Sequence, residues 1–281
     1  MGAVGFIGLG IMGEPMATHL LDWPDGLVVC DVRADATQPF ADKGATVVAT
    51  PAEVAARCGV ISVMVLDDAQ VRDVVSGTDG IIGGAHPGTV VAIHSTIRAE
   101  TATDLAAVAG PQGVDIVDAP VSGGFMGAHA GSLAVMLGGS EAAVDKCRAP
   151  FERWADLIVH VGEVGEGTRT KLARNLLQFC TYAAVGEAQR LAEAAGVRLQ
   201  DLAAVVRHTE PITGGPAMIM LRDTAEAMAP DDPLFDSFDH ARVLGDKDLA
   251  LALELGEQLG VDLPMARLAR QTLGAALGLR A

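Results

Sequence analysis

The sequence predicts an α/β protein in two parts: residues 1–162 form a domain built from βαβ units with a mostly parallel sheet, and residues 163–281 form an all-helical domain. Two observations lead to this fold class. Short β-branched segments alternate with Ala-rich segments of helical length in the first part, and the later segments have helical periodicity. At 281 residues the chain has room for one or two domains.

Eight segments of the first part have the composition of strands, because β-branched and other apolar residues dominate them. Helical stretches separate these segments, which is the order that a parallel sheet requires. The predicted strands are AVGFIG, LVVCDV, ATVVA, GVISVMVL, GTVVAIH, VDIVDA, SLAVMLGG and DLIVHVG.

A long helix joins the two parts. After Gly167 the segment TRTKLARNLLQFCTYAAVGEAQRLAEAAG keeps apolar residues at helical spacing. Gly196, the turn at 211–216 and the APDDP turn at 229–233 then divide the remainder into further helices.

The composition excludes several kinds of partner and site. With 36 acidic and 20 basic residues the net charge is −16, so the chain repels nucleic acid and anionic membrane surfaces. Its apolar runs are far shorter than the roughly 18 residues of a membrane-spanning helix. The four cysteines form no CxxC pair and the seven histidines no HExxH, so no disulfide framework and no metal site is expected. A cytoplasmic location is expected.

A glycine-rich turn follows the first predicted strand. Gly8, Gly10 and Gly13 form G-x-G-x-x-G between a strand and an amphipathic helix, the context of a Rossmann dinucleotide-binding fingerprint. The first glycine permits the tight turn, the second lets the backbone approach a pyrophosphate, and the third lets helix and strand pack closely. The loop predicted to bind NAD or NADP consists of Gly8, Leu9, Gly10, Ile11, Met12 and Gly13.

An acidic residue ends the second predicted strand. Asp31 lies where a carboxylate can bind the adenosine ribose hydroxyls and repel a 2′-phosphate, which favours NAD over NADP. Arg33 weakens this preference, because a guanidinium can pair with a 2′-phosphate. A solvated turn aspartate and a surface arginine are the alternatives.

The segment Ser122, Gly123 and Gly124 follows a predicted strand end in the middle of the chain. Glycine N–H groups and a serine hydroxyl can converge on a carboxylate, because no side chain obstructs the backbone there. From these residues alone, a carboxylate pocket and a plain tight turn are equally compatible.

Lys171 and Asn175 lie four residues apart, hence on one face of the long helix. With Thr168 as the predicted N-cap, Lys171 falls in the first turn. A helix N-terminus and partial burial both lower a lysine's pKa, which suits a group that exchanges protons near neutral pH. Lys171 is therefore a candidate general acid/base, the alternative being an exposed lysine whose stem covers the helix.

Lys247 and Asp248 are predicted to open a later helix. Neighbours in a helix do not share a face, so an ion pair between them is not expected. The spacing leaves Lys247 either solvated or directed at a cleft.

Four motifs in register resemble those of the β-hydroxyacid dehydrogenases, the family of 3-hydroxyisobutyrate dehydrogenase and tartronate semialdehyde reductase. The likeness covers nearly the whole chain. The motifs are GFIGLGIMGEPMATHLL, DAPVSGGFMGAHAGSLAVMLGG, GEVGEGTRTKLARN and KDLALALE.

The resemblance implies hydride transfer between NAD(P) and a small 3-hydroxy acid, in a homodimer or homotetramer. It implies that Lys171 is the general acid/base, that Asn175 holds the substrate, and that the Ser122 turn binds the substrate carboxylate. It also implies that Leu66 and Thr96 lie beside the nicotinamide and that Lys247 contacts cofactor or substrate.

The chain departs from the family pattern at several positions. Asp67 stands where proline often follows the leucine of MVL, and Arg98 and Ala99 stand where proline often follows STI. Arg174 replaces a common asparagine. The region from HTEPITGGPAMIM through PLFDSFDHARVLG, residues 208–245, matches poorly and is expected to shape the substrate pocket.

Other functions remain open on the sequence. A 6-phosphogluconate dehydrogenase would have a histidine where Arg174 stands, and an imine reductase would normally lack Lys171. A catalytically silent dinucleotide-binding protein is a third possibility, which the presence of Lys171 opposes.

Overall fold

The computed structural model describes residues 2–215, 219, 221 and 226–279. The chain divides into two compact units, Met1–Arg174 and Asn175–Ala281. The division falls inside one helix, α9, which runs from Glu166 to Ala194. The domain boundary near residue 162 stays a prediction.

One sheet forms the centre of the first unit. Its strand order is β3-β2-β1-β4-β5-β6-β8-β7, with β9 paired to β8. The pairs are parallel except where β8 meets β6 and β7, so the predicted mostly parallel sheet is confirmed. The strands are β1 Ala3–Ile7, β2 Leu27–Cys30, β3 Thr46–Val47, β4 Cys58–Val63, β5 Val90–Ile93, β6 Asp115–Asp118, β7 Val121–Ser122, β8 Leu133–Gly138 and β9 Ala155–Gly162.

Eight of these strands coincide with the predicted segments. The strand β7 was not predicted, because its two residues are too few for a period to be visible. It pairs antiparallel with β8, with Ser122 opposite Ala134.

Helices connect the strands of the first unit. Several have short polar caps, as in α3, where the Thr50 hydroxyl and the Glu53 carboxylate form a capping box. The helices are α1 Gly13–Thr18, α2 Ala34–Ala41, α3 Pro51–Ala55, α4 Asp68–Ser76, α5 Ile81–Gly84, α6 Ala99–Ala109, α7 Gly124–Ala130 and α8 Glu141–Phe151.

Two apolar clusters cover the opposite faces of the sheet. Side chains alternate between them along each strand, so Phe6 joins one cluster and Ile7 the other, as the two-residue period of a strand dictates. Burial on both faces explains why these strands are almost continuously apolar.

A buried histidine links two strand ends in this core. The His94 ring is buried against Phe151 and Trp154. Its Nδ1–H donates to the Ala119 carbonyl (2.8 Å), which can only accept, so Nε2 accepts from the Ser62 hydroxyl (3.0 Å). Burial lowers the pKa of His94 to about 4, so the ring is neutral in the folded protein.

We expect this histidine to make stability depend on pH. The unfolded chain binds the imidazole proton below about pH 6.5, whereas the folded chain resists it down to about pH 4, so stability falls as the pH drops through this window. The contribution is at most about 3 kcal/mol. His94→Gln can keep both hydrogen bonds without titrating. Urea unfolding at pH 7 and pH 4.5 should show a smaller loss for this variant, and an equal loss would assign the dependence to other groups.

The regular elements among the described residues of the second unit are all helices. After α9 come α10 Leu199–Thr213, α11 Phe235–Leu259 and α12 Pro264–Ala276. A small core contains Met228, Phe238, Leu277 and Leu279. The buried Glu187 of α9 caps α12, because its carboxylate accepts from the N–H groups of Met265 (2.6 Å) and Ala266 (3.0 Å).

Two further expectations from the sequence concern the substrate pocket and membrane-spanning helices. Part of the region expected to shape the substrate pocket, residues 216–218, 220 and 222–225, lies outside the described residues. Among the helices that the structure describes, none is long and apolar enough to cross a membrane.

Candidate active site

The glycine loop between β1 and α1 has two structural glycines and one that faces open space. Gly8 has a φ of +91°, and a Cβ there would overlap the Met64 carbonyl oxygen. A Cβ on Gly13 would overlap the Gly8 carbonyl oxygen. At Gly10, no atom of the described residues lies within 4 Å of an added Cβ. The fold therefore requires Gly8 and Gly13, whereas Gly10 leaves room for a ligand.

A cleft of about 1250 Å³ opens beside this loop. It lies at the carboxyl ends of β1, β2, β4 and β5, where the strand order reverses around β1 and where open α/β sheets bind nucleotides. Exposed apolar side chains of Ile11, Val32 and Leu66 line it and can pack against aromatic rings. Gly8, Leu9, Gly10, Ile11, Met12, Gly13, Asp31, Leu66 and Thr96 all border this cleft.

Asp31 follows β2 and ties the glycine loop to the second strand. Its carboxylate accepts from the N–H of Leu9 (2.6 Å) and from that of Arg33 (2.8 Å). The Arg33 guanidinium lies 3.6 Å from the same carboxylate. An anion thus faces the part of the cleft next to β2, with a neighbouring cation that partly offsets its charge.

Ser95 orders the two loops that carry Leu66 and Thr96, a role that the sequence did not reveal. Its hydroxyl donates to the Val65 carbonyl (2.7 Å) and accepts from the Val65 N–H (3.0 Å). The loops after β4 and β5 are thereby joined across adjacent strands. A serine followed by a threonine at a strand end was the available signal, but its partner lies 30 residues away.

Aspartate side chains form hydrogen bonds at two positions, Asp67 and Arg98, where the family pattern often has proline. Asp67 caps α4 by accepting from the Gln70 N–H (2.9 Å). Asp68 accepts from the Arg98 N–H (3.0 Å) and from the Thr101 hydroxyl (2.5 Å). These bonds restrain both loops by side-chain contacts instead of by a fixed proline φ.

Lys171 lies in the second turn of α9. The prediction that Thr168 caps the helix was wrong, because the helix begins at Glu166 and Thr168 is already inside it. Only 9% of Lys171 is exposed, and its ammonium has no hydrogen bond or ion pair to any residue that the structure describes. Burial, followed by the positive charge of Arg174, lowers its pKa from 10.5 to about 8.

We expect Arg174→Gln to move the pH dependence of any reaction that needs neutral Lys171. Removing the guanidinium removes one of the two causes of the lowered pKa, so the pKa of Lys171 rises and the alkaline activation shifts to higher pH. A pH profile of kcat/KM measures this shift. Arg169→Gln is the control, since Arg169 pairs with Glu166 on the same helix (2.7 Å). An unchanged profile in Arg174→Gln would contradict the prediction.

The Ser122 turn has the geometry of a glycine-dependent backbone site. Gly123 (φ +132°) and Gly124 (φ +62°) adopt conformations that disfavour other residues. The Ser122 hydroxyl is buried and has no hydrogen-bond partner among the described residues. A buried hydroxyl without a partner is costly, so an acceptor or donor supplied by a ligand would stabilise it.

Asn175 and Lys247 belong to the second unit, and their roles stay predictions. Two expectations about Lys247 were wrong. It lies in the middle of α11 instead of at a helix start, and its ammonium forms an ion pair with Asp248 (2.9 Å). The long lysine stem lets adjacent exposed residues meet although their Cβ atoms point to different sides.

No group of three or more His, Cys, Asp or Glu that could hold a metal ion occurs in the parts of the chain that the structure describes.

The two parts of the chain match two known protein families. Residues 3–162 match the NAD-binding domain of 6-phosphogluconate dehydrogenase, and residues 165–279 match the family described as the NAD-binding region of NADP-dependent 3-hydroxyisobutyrate dehydrogenase. The chain is an NAD(P)-binding oxidoreductase of the dehydrogenase type.

Individual relatives identify the family of oxidoreductases to which the chain belongs. An uncharacterized oxidoreductase of Mycobacterium tuberculosis is 54% identical over 98% of this chain and 93% of its own. The 2-(hydroxymethyl)glutarate dehydrogenase of Eubacterium barkeri is 33% identical over 98% and 90%. The chain belongs to the β-hydroxyacid dehydrogenase family, as its motifs predicted.

Solved structures of similar sequence support the same family assignment. A Mycobacterium avium 104 structure, described in general terms as an oxidoreductase, is 51% identical over 99% of both chains, with a TM-score of 0.92. Mycobacterium tuberculosis 3-hydroxyisobutyrate dehydrogenase, with L-serine, is 29% identical over 98% of this chain and 93% of that one, with a TM-score of 0.68. An imine reductase from Myxococcus stipitatus, at 22% identity over 99% and 94% and a TM-score of 0.77, shares the fold.

Proposed function

We propose that this oxidoreductase oxidises a small 3-hydroxy acid with NAD as the preferred cofactor, and that Lys171 is the general base. The observation that carries the proposal is the state of Lys171: a buried amine with a pKa of about 8 and no acceptor among the described residues. An amine of this kind is suited to taking a proton near neutral pH.

The cofactor site fits a dinucleotide. Gly10 leaves open the space in which a pyrophosphate would approach the backbone of the glycine loop. Exposed apolar side chains of Val32 and Leu66 offer surfaces for the two ring systems. When bound, the cofactor supplies the nicotinamide ring that accepts a hydride. The carboxylate of Asp31 supports NAD, since it would repel a 2′-phosphate.

In the oxidation, neutral Lys171 would accept the proton of the substrate hydroxyl. Its Nζ then becomes an ammonium, and in the reverse reduction it returns the proton to the alkoxide oxygen. Burial makes the neutral amine accessible at moderate pH, because desolvation disfavours the charged form. The base therefore operates close to its pKa, where proton transfer in either direction is efficient.

The substrate class is inferred from the chemistry that the relatives' names share. L-Serine, 3-hydroxyisobutyrate and 2-(hydroxymethyl)glutarate are all HOCH₂–CH(R)–COO⁻ compounds that differ in R. A primary hydroxyl and a carboxylate sit at fixed separation in each. We assign the substrate carboxylate to the turn of Ser122, Gly123 and Gly124, because the Ser122 hydroxyl has no partner among the described residues. We assign the substrate hydroxyl to Lys171, with Asn175 and Lys247 as additional contacts.

A substrate panel tests the proposed function. Compounds HOCH₂–CH(R)–COO⁻ with R of hydrogen, methyl, amino and carboxyethyl would be assayed by absorbance of the reduced cofactor, with NAD and with NADP in parallel. We expect turnover with at least one member and a higher kcat/KM with NAD. Cofactor binding without turnover of any acid would favour the silent dinucleotide-binding alternative. If none of the acids is turned over and a cyclic imine, assayed separately with reduced cofactor, is reduced, an imine reductase is favoured.

The proposed function includes an oligomeric state. A homodimer or homotetramer is supported by a row of exposed apolar residues on α9, namely Leu176, Phe179 and Tyr182. Light scattering after size-exclusion chromatography would measure the mass in solution. A cytoplasmic location stays an expectation from the sequence.

A further inference from the structure

A buried carboxylate holds the start of the helix that carries Lys171. Asp118 ends β6 and is completely inaccessible to solvent. Its Oδ1 accepts from the Gly165 N–H (2.7 Å) and its Oδ2 accepts from the Thr168 N–H (2.6 Å). Burying a carboxylate is costly unless strong hydrogen bonds compensate it, and both oxygens are used here for one helix end.

The backbone around this contact has no room for other side chains. A Cβ on Gly138 would overlap the Asp118 carboxylate, and a Cβ on Gly167 would come 2.6 Å from the Asp118 carbonyl oxygen. Gly165 has a φ of +99°, which only glycine adopts readily. The glycines of GEVGEG thus let α9 begin directly against the ends of β6 and β8, instead of exposing its free N–H groups.

Asp118 connects the two parts of the proposed chemistry. Thr168, which it binds, is one helical turn before Lys171, and Asp118 itself is four residues before Ser122. We infer that Asp118 is a positioning residue, which fixes Lys171 relative to the Ser122 turn by clamping the N-terminus of α9 to the end of β6. This inference rests on the proposed function of Lys171 and adds the residue that sets its place.

The alternative is that Asp118 is only a helix cap with no effect on Lys171. A second buried cap in the chain serves as the matched control for this alternative. Glu187 is also a buried carboxylate that caps a helix through two backbone N–H groups, those of Met265 and Ala266. It belongs to the second unit and lies sixteen residues after Lys171 in the sequence. Both carboxylates perform the same capping chemistry, and only one does so beside the lysine.

The experiment compares Asp118→Asn with Glu187→Gln in the full chain. Each amide keeps the shape but directs an NH₂ group at a backbone N–H, so both caps are weakened. We expect kcat on the best substrate of the panel to fall about 100-fold in Asp118→Asn, because small misplacements of reacting groups cost rates of this order. In Glu187→Gln we expect less than a threefold change. The Kd for NAD should stay within threefold in both variants, since the glycine loop is untouched.

A second signature separates positioning from folding. In Asp118→Asn the pH at which kcat is half-maximal should shift, because the surroundings of Lys171 change, whereas Glu187→Gln should keep the wild-type profile. Equal kcat losses in the two variants, or a loss of NAD affinity as large as the loss of kcat in Asp118→Asn, would overturn the inference. Should Asp118→Asn not be recovered folded, Asp118→Glu gives the same comparison, since it keeps the charge and both oxygens but displaces them by one methylene.

Failure of the proposed function would be recognised separately. If the wild type oxidises none of the acids, the proposed function fails, while the positioning can still be read from the NMR signal of the Lys171 Cε group. Asp118→Asn should move that signal and its titration, and Glu187→Gln should not. An unmoved Lys171 signal in Asp118→Asn would overturn the inference on its own.

Discussion

Lys171→Ala should lower kcat about 10³-fold while the Kd for NAD stays within threefold of the wild type. General acid–base groups contribute factors of about 10² to 10⁴, and the substrate hydroxyl of this variant would have to release its proton to water. Lys171 is buried on α9, whereas the residues that line the proposed cofactor cleft lie on the glycine loop and the ends of β2, β4 and β5. Stopped-flow hydride transfer and NAD titration by fluorescence would measure the two quantities separately.

Lys146→Ala is the matched control for this variant. Lys146 donates to the Gly88 carbonyl (2.9 Å) near the start of β5, at the end of the sheet opposite the cleft, so its removal should leave kcat unchanged. Substantial turnover in Lys171→Ala with NAD still bound would show that another group carries the proton. A parallel loss of NAD affinity would show instead that the lysine maintains the cofactor site.

Gly10→Val should weaken NAD binding at least 100-fold without lowering stability. The described residues leave the space around a Cβ of Gly10 empty, and the backbone φ of Gly10 is not in the left-handed region, so the fold can accommodate valine there. The added side chain would occupy the space through which a pyrophosphate approaches the loop. Calorimetric titration with NAD and thermal unfolding would measure affinity and stability on the same sample.

Variants at two other glycines serve as controls for Gly10→Val. Gly59 in β4 also has open space around a Cβ and lies outside the cleft, so Gly59→Val should change neither quantity. Gly13→Ala should lower stability, because its Cβ would overlap the Gly8 carbonyl oxygen. If Gly10→Val bound NAD as tightly as the wild type, the cleft beside the glycine loop would not be the pyrophosphate site.

Much of the fold could be read from the sequence, because its signals are local. The strands are apolar for several consecutive residues, and the G-x-G-x-x-G loop is recognisable from its position between a strand and a helix. The strand β7 was missed because two residues carry no period. The start of α9 was placed at Thr168 instead of before Glu166 because its cap is Asp118, which is 50 residues away in the sequence.

The candidate site was only partly predictable for the same physical reason. Residue types and spacing identified Lys171 and the Ser122 turn. The burial of Lys171, and the lack of a partner for the Ser122 hydroxyl among the described residues, depend on elements that the sheet brings together. The contacts of Ser95 with Val65 and of Asp68 with Arg98 also join different loops. Helical spacing predicted no ion pair between Lys247 and Asp248, but the flexible lysine stem reaches the neighbouring carboxylate.

The most direct test of the central claim is to titrate Lys171 itself and compare its pKa with the pH dependence of the reaction. The chain has only four lysines, Lys43, Lys146, Lys171 and Lys247, so lysine labelled with ¹³C at Cε gives signals that single substitutions can assign. If Lys171 is the general base, it titrates near pH 8, the rate of hydride transfer rises through the same pH, and Arg174→Gln moves both upward together. A Lys171 signal that titrates above pH 10 while the rate rises near pH 8 would contradict this role.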